Sequence, residues 1–174
     1  MLNPVGLFLL LLVQGGEGVF TVGPAVNFGK IANVESDVEI PKDMVFNIRF
    51  DSGRSSPRLK VNSTFDSAAR FINLKRAAEV PKENISIAIV VHGNASFDVT
   101  NDDAYGARFD GKTNGSAAAV AELQKHNVVF YICGQSAAFH GIEKKDLLPG
   151  VKLAHSAMTI HAILGKQGYL LNPF

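Results

Sequence analysis

The chain has 174 residues, 47% hydrophobic and 19% charged, with twelve Phe, no Trp and a single cysteine. That length suits one domain able to bury roughly 70% of its unfolded surface, and the composition excludes a disordered chain. A formal charge of +1, with no run of either sign, excludes the basic footprint of a nucleic-acid or anionic-membrane binder.

Residues 5–13 are apolar throughout once Gly6 is counted, and Gln14-Gly15-Gly16-Glu17-Gly18 follows. A spanning helix needs roughly 20 such residues, so this run reads instead as the hydrophobic region of a signal peptide, 1–18, with Gly16 and Gly18 as small residues before a cut. The amino-terminal region carries no Lys or Arg. The expectation is an exported protein, periplasmic or secreted, with no membrane attachment once the signal is removed. Residues 19–43 form an amino-terminal arm, punctuated by Pro24, Gly29 and Pro41.

From residue 44 strand-like and helix-like segments alternate. Residues 44–50 read as a strand ending at Asp51-Ser52-Gly53. Residues 64–78 read as a helix capped by Thr64, with Phe65, Ala68, Ala69 and Ile72 on one apolar face, and Pro81 beyond it. The β-branched run Ile85–Val91 suits a strand buried on both faces and ends in His92-Gly93-Asn94. A polar stretch, 98–115, has room for one short helix. Asn114 and Ser116 then cap a helix to Lys125, with Ala117, Val120, Ala121 and Leu123 inward. Residues 128–132 form the next buried strand, ending at Cys133-Gly134, and 135–140 a short turn or helix closed by Gly141. A strand at 151–154 ends at His155, Ser156 caps a helix over 157–166, and 169–171 is a short final strand. Such alternation implies an α/β domain over 44–174, a parallel sheet covered on both faces by right-handed crossovers.

Parallel strands end at one edge, where ligand sites collect. Asp51, His92, Cys133 and His155 fall there. A thiol at a strand end before a helical turn lies near unpaired backbone N–H groups, which favour the thiolate. Cys133 has no partner for an internal disulfide, so it packs as a small apolar residue, pairs between chains, or reacts. His92 and His155 each read either as a base or thiolate partner, or as a histidine bonded within its own loop. His161, on the stripe with Ala157, Ile160 and Leu164, reads as a satisfied core residue, His140 as a turn residue, and His126 as a helix-end cation. No ligand pair has structural-zinc spacing, and no phosphate-binding glycine loop or nucleophile elbow occurs, so neither metal nor nucleotide cofactor is expected. Asn62, Asn84, Asn94 and Asn114 open Asn-x-Ser/Thr triplets, read as turn chemistry outside a eukaryotic secretory setting.

The run VVFYICGQSAAFHGIEKKDLLPGVKLAHSAMTIHAILGKQGYLLNPF, with IAIVVHGNA upstream, resembles the DsrE/DsrF-like family of small sulfur-relay proteins. The resemblance spans 45–174 and implies a three-layer α/β/α domain with a parallel sheet of about five strands, assembled as a trimer or hexamer of like subunits. It also implies a sulfurtransferase or persulfide carrier, with Cys133, followed by Ala137, Ala138 and Gly141, holding sulfur as a persulfide and exchanging it with a donor or acceptor protein. His92 and His155 are the candidate helpers of that thiol. Many members of the family lack the cysteine. The alternative is therefore a non-enzymatic small-ligand-binding or assembly module of the same fold, with a structural Cys133.

Overall fold

The computed structural model describes residues 19–57 and 59–174. The signal-peptide reading of 1–18 lies outside the described residues.

The arm carries a small antiparallel pair, β1 (Phe20–Thr21) with β2 (Ile31–Ala32). The main sheet has five parallel strands: β3 (Phe46–Ser52), β4 (Ile85–Val91), β5 (Val128–Cys133), β6 (Lys152–Ala154) and β7 (Leu170–Asn172), in the order β6-β5-β4-β3-β7. Successive connections from β3 to β6 move one way across the sheet. Their helices α1 (Ser63–Ala77), α2 (Asp102–Arg108), α3 (Ala117–Gln124) and α4 (Gly134–His140) accompany that walk. The last connection runs back from β6 to β7 at the far edge. A right-handed crossover travelling in the opposite direction must lie on the opposite face, which sends α5 (Ala157–Lys166) there. The result is three α/β/α layers, with α5 as the outer layer on its side.

Alternation along the strands separates two cores. Phe50, Ile87, Ile89, Val91, Phe130 and Ile132 point toward α1 and α3 and join Phe65, Ala69, Ile72, Val120 and Leu123 in the larger one. Phe65 meets Phe130 edge to face, with ring centroids 5.1 Å apart. On the other face Ala88 and Val90 pack under Ile160 and Leu164 of α5, with Tyr131, Ala154, Ala157 and Tyr169 around them.

The arm does more than lead in. The side chain of Asn73, fully buried on α1, accepts from the backbone N–H groups of Ala25 and Val26 and donates to the carbonyls of Val26, Phe28 and Gly29. Its amide stands in for a missing strand partner and fixes the arm to the domain.

Several boundaries move. The cap of α1 is Asn62, whose Oδ1 accepts the Thr64 N–H at 2.8 Å, so Thr64 lies inside the helix. Asn62 can do this because its own amide also bonds the Asp98 carboxylate and the Arg54 carbonyl under the loop after β3. A 3-10 helix over Gly93–Val99 fills the segment after β4, and α2 follows it. Asn62 and Asn114 are buried, their amides committed to the backbone and to Asp98, which is cap and turn chemistry.

Candidate functional site at the carboxyl edge of the sheet

Three adjacent strands end side by side. Ser52 pairs with Val91, and Val91 with Ile132. His92 continues extended (φ −152°, ψ −179°), so the next register position places it beside Cys133. By alternation Asp51, His92 and Cys133 all project toward α5.

α5 begins over this point. Ser156 caps it, its Oγ accepting the Thr159 N–H at 3.0 Å. Along the helix Ala157, His161 and Gly165 form a stripe at four-residue spacing that crosses the sheet from β5 to β3. Ala157 meets Cys133, His161 meets Asp51, and Gly165 leaves room for Arg49, whose Nη1 would lie 3.0 Å from an added Cβ. The Arg49 guanidinium donates to the Tyr169 carbonyl, tying the end of α5 to β3.

Cys133 is free, and only 5% of its surface is exposed. Burial pushes its thiol up. Four donors more than offset this and hold it below the ordinary thiol value: the N–H groups of Ser136, Ala157 and Gln135, and the Ser136 hydroxyl. None of these groups is a histidine. Ser136 also accepts the Gly93 N–H at 2.9 Å, linking the thiol to the loop that carries His92. Gly134 permits the approach, since a Cβ there would stand 2.6 Å from the Ala154 carbonyl oxygen.

The remaining charge sits on Asp51. Its carboxylate accepts from His92 Nε2 at 3.0 and 3.1 Å and from His161 Nε2 at 2.8 Å. Partial burial raises this carboxyl, but the two histidines overcome that and hold it below the ordinary carboxylate value. His92 packs over Gly53, where a Cβ would lie 2.7 Å from the ring.

Of the expected site residues, Cys133 and His92 fall at neighbouring strand ends, and the His92 ring lies over Gly53 and bonds Asp51. His155 follows β6 in an exposed position, and its carbonyl accepts from Gln135 Nε2 at 3.2 Å. His161, read as a core residue, is instead half-buried at the sheet edge and bonded to Asp51. His140 ends α4 and bonds the Gly93 carbonyl at 3.1 Å, and His126 pairs with Glu122. A cleft of about 450 Å³ lined by Phe97, Arg108, His140 and Ile142 does not include Cys133. Among the described residues no cluster of His, Cys, Asp and Glu is arranged to hold a metal ion.

A five-stranded parallel sheet between helical layers, with a thiol held among N–H donors at a strand end, defines the class as a three-layer α/β/α domain. Residues 44–173 match the DsrE/DsrF-like family, and the chain belongs to it. The ychN protein of E. coli shares the fold at 15% identity, covering 75% of this chain and all of that one, with a TM-score of 0.54. A protein of unknown function from Methanobacterium thermoautotrophicum, MTH1491, aligns at 17% identity over 76% of this chain and all of its own, with a TM-score of 0.49. No curated protein matches the chain.

Proposed function

We propose that this protein is a sulfur carrier that holds sulfur as a persulfide on Cys133. The observation that carries the reading is the set of N–H and O–H donors around the thiol, which favour the thiolate although the residue is buried. A structural cysteine needs no such donors. In the step, the Cys133 thiolate attacks the outer sulfur of a hydropersulfide or polysulfide. A new S–S bond forms, the donor S–S bond breaks, and its electron pair leaves on the donor's remaining sulfur. No external oxidant is consumed. In this proposal the proton goes to His92, whose register position follows the Val91–Ile132 pair.

Assembly is part of the proposal. Met158 is 82% exposed at the start of α5 and Phe139 85% exposed on α4, and Ile163, Leu170 and Leu171 are also open. These open apolar side chains support self-association, and the proposal is a homo-oligomer, trimer or hexamer, in an extracytoplasmic setting. Among the described residues no helix is long and apolar enough to cross a membrane.

The test is intact mass after incubation with polysulfide. Wild type gains sulfur that reductant removes, and Cys133→Ser gains none. A native protein that resists loading, with Cys133 reacting only after denaturation, would return the reading to the assembly or binding module.

A further inference from the structure

We propose that Asp51 and His161 are positioning residues that clamp His92 in one tautomer, leaving its Nδ1 to carry the proton of the sulfur-transfer step. The inference rests on the persulfide reading above and assigns roles to two residues which that reading does not use.

The geometry points this way for three reasons. First, two imidazoles from separate elements, His92 after β4 and His161 on α5, converge on the one carboxylate of Asp51 on β3 at 2.8–3.1 Å. An ionised carboxylate only accepts, so both rings must present Nε2–H to it. Second, His92 meets Asp51 through Nε2, which leaves Nδ1 with no protein hydrogen-bond partner among the described residues. Third, the backbone donors around Cys133 already favour its thiolate without a histidine. The histidine in register beside it need only hold the proton that the thiol gives up and return it to the leaving group.

That leaving group needs a proton. Cys133 gives its thiol proton to His92 Nδ1, and the thiolate attacks the terminal sulfur of R–S–S–H. The Cys133–sulfur bond forms as the R–S bond to that sulfur breaks, and the electron pair stays on R–S⁻. R–S⁻ then takes the proton back from Nδ1. The balance is Cys–SH plus R–S–SH giving Cys–S–SH plus R–SH. Asp51 supports the passing imidazolium, and His161 keeps the Asp51 carboxylate pointed at His92.

The experiment pairs a spectroscopic with a kinetic readout on the full chain. Side-chain ¹⁵N NMR of wild type should show His92 in the Nε2–H tautomer at alkaline pH, and Asp51→Asn should give a mixture. Loading is followed with inorganic polysulfide near neutral pH, and alkylation with iodoacetamide, whose iodide leaves without a proton, serves as the control. His92→Asn should slow loading on the order of a hundredfold and Asp51→Asn about tenfold, with alkylation changed less than about twofold. His161→Ala should behave like Asp51→Asn, and His161→Gln, which keeps an N–H donor, should restore both tautomer and rate. Equal losses in loading and alkylation, or an unchanged tautomer in Asp51→Asn, overturn the clamp. If wild type never loads, the carrier reading and the proton role fall together, while the NMR result still decides whether the clamp exists.

Discussion

Replacing Gly134 with Ala tests the cradle around the thiol without touching a polar group. The added Cβ would stand 2.6 Å from the Ala154 carbonyl oxygen and 3.1 Å from that of His155. Both are backbone atoms, so no side chain can swing aside. The end of β6 must retreat by about 0.8 Å to reach an ordinary contact, an overpacking that costs about 1–3 kcal/mol. At about 2–4 °C per kcal/mol for a domain of this size, the melting temperature should fall by about 2–12 °C. The retreat carries Ser156 and Ala157 with it, because they continue directly from β6. The Ala157 N–H then leaves the sulfur, and the thiolate loses one of its four donors. Iodoacetamide alkylation followed by intact mass across pH should therefore show a midpoint above that of wild type. A lowered melting temperature with an unmoved midpoint would refute the idea that the α5 terminus helps hold the thiol down.

Asn73→Leu should detach the arm. It strips partners from buried or half-buried groups of Ala25, Val26, Phe28 and Gly29 and should cost at least about 3 kcal/mol, read by urea unfolding, with limited proteolysis cutting within 19–43. Phe130→Ala empties the centre of the larger core and should cost about 3–5 kcal/mol by the same assay. The acid response should differ between two carboxylates. Asp51 lies below its ordinary value in the fold, so its contribution is present above about pH 4 and is lost as pH falls through the folded value. The stability gap between wild type and Asp51→Asn, measured by urea midpoints, should shrink toward pH 2. Burial raises Asp98, so its contribution is largest below about pH 4 and declines as pH rises through its folded value.

What the sequence disclosed followed from local signals. The β-branched run set β4 at Ile85–Val91, and the Ser156 cap set the start of α5 at Ala157. Strand alternation and end position placed Cys133 and His92 at one edge. What stayed hidden was tertiary. The arm's role depends on Asn73, which is 47 residues away from the Val26 it holds. His161 shares the Ala157 side of α5, and a helical stripe alone cannot say whether its neighbour is a core residue or a carboxylate. Only the return of β7 beside β3, which draws α5 diagonally across the sheet, brings it to Asp51. The same crossing explains the small residues at Ala157 and Gly165.

The most direct test of the carrier reading is a load-and-return measurement on native protein. Protein exposed to polysulfide is desalted, mixed with an excess of a small thiol, and its intact mass followed. The reading predicts one or more added sulfur atoms on wild type that disappear as the thiol acquires them, and no addition to Cys133→Ser. Native protein that gains no sulfur, or sulfur that Cys133→Ser gains equally, would contradict it.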